Sequence, residues 1–253
     1  MTAELYVVAD GKKYVYSVEF NMIHIHDTGD KIIDPTCTEG GYTLHGCTCE
    51  PNAYKDTYTS ALGHEFADGK CTRCGISVLD AFTDVKKGSY CSDAVQWAVA
   101  NGITNGTDAT HFSPNAGCTR GQVVTFLWRA AGKPTVSGNV GFVDVVPGSY
   151  CYEAVKWAVA NGITKGTDAT HFSPKATCTR GQVVTFMYRA TGGPAGGGSN
   201  GFADVAAGSY CYNAVQWAVA NGITKGTDAT HFSPSATCTR GQVVTFLYRA
   251  EFT

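Results

Sequence analysis

The chain has 253 residues, a hydrophobic fraction of 43% and a formal net charge of −2. This suits one large or two small globular domains and argues against wholesale disorder. So even a charge balance gives no electrostatic reason to expect nucleic acid or an anionic membrane surface as partner. No apolar run approaches the roughly 20 residues of a membrane-spanning helix, so insertion into a bilayer is not expected.

In chain order, residues 5–9 and 14–20 are β-rich runs separated by Asp10-Gly11, a strong hairpin signal. A lone two-stranded hairpin is marginal in water, so residues 1–34 are expected to be the tail of an upstream domain. The first residues carry neither the basic region nor the apolar core of a secretory signal. The chain is then either cytosolic or a segment of a longer exported protein, and the tail-like start favours the segment.

Residues 35–78 form a cysteine-rich segment holding Cys37, Cys47, Cys49, His64, Cys71 and Cys74. Cys71-Thr-Arg-Cys74-Gly75, with Cys47 and His64 upstream, can make a zinc knuckle. Against this, the 22 residues from Cys49 to Cys71 are long for a compact ribbon, and Cys47-x-Cys49 lacks the usual two-residue spacer. The alternative is a small disulfide knot with one thiol odd. Zinc at Cys47, His64, Cys71 and Cys74 is the candidate metal centre, and no other cofactor is expected. Residues 63–75 also resemble small Gly-His-x-x-x-x-Gly-x-Cys-x-x-Cys-Gly modules of secreted proteins.

From residue 79 one unit is written three times, over residues 79–135, 139–194 and 199–253. Cys-Thr-Arg-Gly-Gln-Val-Val-Thr-Phe starts at Cys118, Cys178 and Cys238, sixty residues apart each time. Such a period marks one supersecondary unit used repeatedly. Each copy opens Phe-x-Asp-Val and reaches a short helix, residues 91–100 in the first copy. Ala94, Val95, Ala98 and Val99 give that helix an apolar stripe. Asn101-Gly102 supplies its stop. A turn-rich loop over residues 106–114 follows, then a second helix over residues 119–130. The links 131–140 and 191–200 are rich in Gly, Ser and Pro and read as spacers. Two helices of about 10 to 12 residues are too short to be stable alone. The expected fold is mainly α: three helix-loop-helix repeats packed around a common axis, preceded by a small β and cysteine-rich segment.

The other six cysteines fall one pair per repeat: Cys91 with Cys118, Cys151 with Cys178, Cys211 with Cys238, each 27 apart. An intra-repeat disulfide of that loop length would stabilise by about 3–4 kcal/mol. The alternative is six small thiols at equivalent core positions.

Thr119-Arg120-Gly121-Gln122 reads as a capping box, in which Thr119 accepts from the N–H of Gln122 and Gln122 reaches back. Arg120 does not fit that reading, because a cation at a helix start opposes the macrodipole. Arg120, Arg180 and Arg240 are thus candidate anion readers beside free helix N–H groups. The competing role is a salt bridge to Asp84, Asp144 or Asp204. Gly121 leaves room for close approach. Thr119, Thr179, Thr239, Gln122, Gln182 and Gln242 join the candidate ligand-binding site with their arginines, as do Asp84, Asp144 and Asp204. Trp97, Trp157 and Trp217 are either core aromatics or a stacking floor for sugars. His111, His171 and His231 read as loop packing, and Asp108 with its copies as turn residues.

Phe-x-Asp-Val, Ala-Val-x-Trp-Ala, Gly-Ile-Thr-x-Gly, Phe-x-Pro and Thr-Arg-x-Gln in one unit closely resemble the S-layer homology (SLH) domain. The resemblance covers residues 82–250. It implies a pseudo-threefold trimer of repeats within a monomer, with grooves between neighbouring copies. It also implies non-covalent binding of secondary cell-wall polysaccharide, often pyruvylated, at the cell wall or S-layer of a Gram-positive bacterium. The family's Thr-Arg-Ala-Glu maps onto residues 119–122 and their copies, with Gln in place of Glu. That keeps the capping box and removes a negative charge. The family's loop often has Asp-Gly before its Phe, where this chain has Thr110-His111-Phe112. No catalytic activity is expected, since a glycosidase needs two carboxylates flanking one bond and the repeats offer few acids. The alternatives are a protein-interaction or adhesin surface, or the attachment region of a larger glycan-acting enzyme.

Overall fold

The computed structural model describes residues 2–19, 29–46, 53–194 and 199–252. Cys47, Cys49 and Phe20 lie outside the described residues. The described chain is mostly helical after a β-rich start, and it divides into two units, Met1–Leu62 and Gly63–Thr253. The division falls inside the segment read from sequence as one cysteine-rich module.

In the first unit, β1 (Thr2–Ala9) and β2 (Lys12–Glu19) pair antiparallel with Ala9 opposite Lys12. Asp10 and Gly11 turn the hairpin at φ 50° and 71°, the left-handed pair that a two-residue turn demands. β3 (Lys31–Ile33), β4 (Gly41–His45) and β5 (Tyr54–Thr59) form a separate antiparallel sheet. Spacing of the cysteines gave no sign of it. His45 ties its outer edges through Nδ1 to Asp30 (2.7 Å) and Nε2 to Asp56 (2.9 Å).

The second unit starts with a small hairpin, β6 (Phe66–Ala67) and β7 (Lys70–Cys71), and a short helix α1 (Val78–Ala81). Three helix pairs follow: α2 (Ser92–Ala100) with α3 (Arg120–Ala130), α4 (Tyr152–Ala160) with α5 (Arg180–Ala190), and α6 (Tyr212–Ala220) with α7 (Arg240–Arg249). The first helix of each pair ends at Asn101, Asn161 or Asn221, with Gly102, Gly162 and Gly222 at positive φ beyond. The second begins behind a complete capping box, with Thr119 N–H donating to Gln122 Oε1 (3.1 Å) and Gln122 N–H to Thr119 Oγ1 (3.3 Å). Gln therefore caps as Glu would.

Helices pack between repeats. α3 lies against α4, α5 against α6, and α7 back against α2. The backbone follows the same cycle: Cys178 N–H donates to Cys118 C=O (2.8 Å), Cys238 to Cys178 (2.9 Å) and Cys118 to Cys238 (2.9 Å). Each repeat thus satisfies the next, and the third satisfies the first. The apolar stripes feed one core, with Val95, Val123, Val124 and Leu127 and their counterparts in the other repeats buried. Phe82, Phe142 and Phe202 pack at a tilt against Phe112, Phe172 and Phe232 with ring centroids 5.9–6.1 Å apart. Gly106, at φ +89°, is required there: a Cβ would meet His111 O and the Phe82 ring at 2.6 Å.

The expected disulfides Cys91–Cys118, Cys151–Cys178 and Cys211–Cys238 are corrected by the structure. All six are buried thiols without a disulfide. Cys118, Cys178 and Cys238 face one another's backbone across repeats, whereas Cys91, Cys151 and Cys211 cap the first helices of their repeats. Burial pushes the Cys118 and Cys178 thiols up to about 12 and Cys238 upward as well. Thiolate, not thiol, is the reactive species. In the folded protein the six repeat thiols are therefore expected to resist a disulfide reagent such as Ellman's, and to react at full stoichiometry only on unfolding. Rapid modification of all six in the native state would contradict this burial.

The loop between the helices of a repeat is held by two carboxylates. Asp84 accepts from the backbone N–H groups of Phe112 (2.9 Å) and Ser113 (2.7 Å), and Asp144 and Asp204 repeat this. Asp108 accepts from Thr110 N–H (2.8 Å) and His111 N–H (2.9 Å) as a turn residue. These bonds, with the Thr110 backbone first and the His111 ring next, hold Asp108 at about 2, and Asp168 and Asp228 likewise. A carboxylate depressed on folding stabilises above its unfolded value, near 3.8, and loses that contribution as pH falls through the folded one. The reverse holds for His111 and His231, raised by Asp108 and Asp228 from 6.5: their contribution is present at lower pH and fades as pH rises through the raised value. The melting temperature is expected to fall between about pH 4 and pH 2. Asp108→Asn, Asp168→Asn and Asp228→Asn together should flatten that acid limb; an unchanged limb would assign it elsewhere.

Candidate functional site: three grooves between repeats

Three grooves of 330, 370 and 360 Å³ recur at equivalent places. The first is lined by Arg120 of repeat one, by Lys165, Gln182, Phe186 and Arg189 of repeat two, and by Tyr210 of repeat three. In the second, Arg180, Lys225 with Arg249, and Tyr90 take these places; in the third, Arg240, Asn105 with Arg129, and Tyr150. Every groove therefore needs all three repeats. Their lining includes no carboxylate.

The arginine is placed by the capping box, which fixes it as the first residue of its helix. From there its side chain crosses into the next repeat. Arg120 Nε donates to Phe172 C=O (2.8 Å), Arg180 to Phe232 (2.9 Å) and Arg240 to Phe112 (3.0 Å). The Arg120 guanidinium lies over the rings of Phe172 (4.8 Å) and Phe186 (5.2 Å), and its counterparts are held alike. Cations favour such π faces. All three arginines are only 3–4% exposed. Among the described residues none forms an ion pair, and the Nη2 atom of each is buried without a hydrogen-bond partner. Burial lowers their pKa below the usual arginine range. A guanidinium in this state lacks a counter-charge, and an orphaned charged donor is costly.

At the other wall stands a tyrosine. Gly121 packs its N–H on Pro174 C=O (3.0 Å), and a Cβ there would collide with the Tyr150 hydroxyl. Gly181 and Gly241 make the same space for Tyr210 and Tyr90. The room that Gly121 leaves is thus occupied by a neighbour's phenol. Tyr90, Tyr150 and Tyr210 remain 58–62% exposed. Burial pushes their phenols up, although a bond to Thr239, Thr119 or Thr179 opposes it. They stay protonated and able to donate at neutral pH.

The sequence-read residues divide in space. Arg120, Arg180, Arg240, Gln122, Gln182 and Gln242 line the grooves. Thr119, Thr179 and Thr239 sit behind them as helix caps. Asp84, Asp144 and Asp204 hold backbone N–H groups instead of pairing with the arginines, and are absent from the lining. Trp97 packs with Tyr248 (5.7 Å) and Trp217 with Tyr188 (6.0 Å). Trp157 lines a different pocket, with Ala190 and Phe252. Arg129, Arg189, Arg249, Lys165, Lys225 and the three tyrosines were not singled out from sequence. The thrice-repeated Gly-Ser-Tyr-Cys, with Tyr ahead of an apolar helix, was the available signal for the tyrosines. His64, Cys71 and Cys74 converge elsewhere, next to the first repeat.

The chain is 31% identical over 159 residues to a "Surface-layer 125 kDa protein" of Lysinibacillus sphaericus, covering 61% of the chain and 13% of that relative. It is 28% identical over 123 residues to a "Cell surface protein" of Thermoanaerobacter kivui, covering 47% and 16%. An "Endoglucanase" of Bacillus sp. (strain KSM-635) shares 31% over 109 residues, covering 43% and 11%. The chain thus spans less than a fifth of the length of each of these relatives. The S-layer homology domain matches residues 81–124, 141–184 and 201–244, together just over half of the chain. Those matched stretches contain all three arginines, the first helix of every repeat and the capping box that opens the second, and the chain belongs to the S-layer homology domain family.

Proposed function

We propose that this chain anchors a secreted protein non-covalently to the bacterial cell wall by binding an acidic secondary cell-wall polysaccharide in the three grooves. The observation that carries the reading is the buried guanidinium of Arg120, Arg180 and Arg240, left without an anionic partner at each groove. Lys165 with Arg189, and Lys225 with Arg249, add positive charge to two of the grooves. A pyruvyl or uronic carboxylate is the kind of group that would complete the site, and Gln and Tyr hydroxyls suit sugar hydroxyls. The closed cycle of contacts supports a pseudo-threefold trimer within one chain, acting as a monomer outside the cell. Surface-layer and cell-surface relatives support that location, and a Gram-positive wall is the expected setting. Among the described residues no helix is long and apolar enough to cross a membrane.

Grooves lined by cations and without acids do not suit glycoside hydrolysis, which needs a carboxylate pair. The endoglucanase among the relatives fits an attachment region carried beside an enzyme. Sedimentation with isolated wall sacculi tests the reading. The chain should co-sediment with native sacculi and stay in solution with sacculi stripped of their polysaccharide. Equal retention by stripped sacculi would favour a protein or peptidoglycan partner and overturn the proposal.

A further inference from the structure

His64, Cys71 and Cys74 are brought together within the second unit by a turn that the repeats do not use. β6 and β7 pair with Phe66 opposite Cys71, turning through Asp68 and Gly69 at φ 49° and 75°. The chain then folds over itself through Thr72-Arg73-Cys74-Gly75. Gly75 N–H donates to Cys71 C=O (2.9 Å), Cys71 N–H donates to Ile76 C=O (2.8 Å), and Gly75 turns at φ +75°. Arg73 clamps the approach to His64 through Gly63 C=O (3.1 Å) and Glu65 Oε2 (2.9 Å). The result is a knuckle that holds Cys71 and Cys74 at the two ends of one tight turn.

The ligand atoms of His64, Cys71 and Cys74 lie within 4.8 Å of one another. Cys74 Sγ is 3.5 Å from His64 Nδ1. Zinc bonds of about 2.3 Å to sulfur and about 2.0–2.1 Å to nitrogen, at a tetrahedral angle, separate the two ligand atoms by about 3.5 Å. Two thiolates and an imidazole select a soft or borderline ion over calcium or magnesium. We propose that His64, Cys71 and Cys74 bind one zinc ion, which locks the β6–β7 hairpin onto the first repeat. The hairpin is seated to transmit that lock. Phe66 packs on Phe82 (6.2 Å), Phe82 packs on Phe112 (6.1 Å), and Val78 N–H donates to Gly69 C=O (3.1 Å). The fourth tetrahedral position belongs to water or to a further cysteine. Cys47, read from sequence as the fourth ligand, lies outside the described residues.

Titration of the full reduced chain with cobalt(II), followed by displacement with zinc, tests this. One equivalent should bind, with thiolate-to-cobalt charge-transfer bands and tetrahedral d–d absorption. Cys71→Ser and Cys74→Ser should each weaken binding at least about 100-fold, since loss of an outer-shell partner already costs 10- to 100-fold. His64→Ala should weaken it and shift the d–d bands. Far-UV circular dichroism of each variant verifies that the helical repeats remain folded. Zinc should raise the melting temperature of the wild-type chain and not of Cys71→Ser. Cys37→Ser, Cys47→Ser and Cys49→Ser are expected to leave His64, Cys71 and Cys74 as ligands, with at most one of the three variants weakened. Undiminished cobalt uptake by folded Cys71→Ser or Cys74→Ser would overturn the assignment. So would the absence of stoichiometric uptake by the reduced wild-type chain.

Discussion

Ending the chain after Pro194 is expected to abolish wall binding altogether, not to remove one third of it. The third repeat supplies Tyr210 to the first groove, the body of the second and Arg240 to the third. No groove survives its loss. The fold should fail with the site. Without α6 and α7, the faces of α5 and α2 that they cover become exposed, and Cys118 N–H loses Cys238 C=O. Deleting Val243, Val244, Phe246 and Leu247, all buried, removes apolar contacts of about 1.5–3 kcal/mol each. Against a typical domain stability of about 5–15 kcal/mol, the remaining two repeats are not expected to hold. An open solenoid would behave differently, since each of its repeats contacts only its neighbours and the remainder stays folded. Circular dichroism melting with wall sedimentation separates the two cases. A truncated chain that melts cooperatively and still binds walls would rule out the closed cycle.

The second large effect is expected from Arg120→Ala, Arg180→Ala and Arg240→Ala. Each removes the charge proposed to read the anion, and a lost charge-assisted bond costs about 1.5–3 kcal/mol. That corresponds to roughly 10- to 150-fold in affinity per groove. Each variant also leaves the carbonyl of Phe172, Phe232 or Phe112 without its Nε donor, so stability should fall by about 1–3 kcal/mol per site. The double role calls for a companion variant. Arg→Lys at the same positions keeps a positive charge but not the planar, multi-donor head, and should recover stability less fully than it recovers salt-dependent binding. A single Arg180→Ala should silence one groove and leave two, visible as a change in stoichiometry with the other sites unaltered. Full binding by the folded triple alanine variant would sink the assigned site.

Much of this was legible because the signals are local. Thr119 and Gln122 three residues apart, Asn101-Gly102 at a helix end, and Asp10-Gly11 between β-rich runs each specify a backbone conformation within a few residues. The structure places caps, stops and the turn at those positions. The cysteine pairs were not legible. A 27-residue spacing recurs whether two thiols bond or each fills the same core position in every copy. The deciding fact is non-local: Cys118 meets the backbone of Cys178 and Cys238, 60 and 120 residues away. The same cause hid half of each groove. Arg120 is flagged as misplaced at a helix start, yet nothing nearby in sequence says that Phe172 and Phe186 receive it or that Tyr210 closes the site. The tryptophans read two ways from sequence, since an aromatic on an amphipathic helix looks alike whether it faces a ligand or a neighbouring helix.

Crystals soaked with an acidic wall disaccharide, one bearing a pyruvyl carboxylate, test the central claim most directly. The carboxylate is expected in the grooves, within hydrogen-bond distance of the Arg120, Arg180 or Arg240 guanidinium, with Tyr and Gln on the sugar hydroxyls. The neutral disaccharide should leave the grooves empty. Density for the sugar on Trp97, Trp157 or Trp217 with the arginines untouched would contradict it, as would equal occupancy by the neutral sugar.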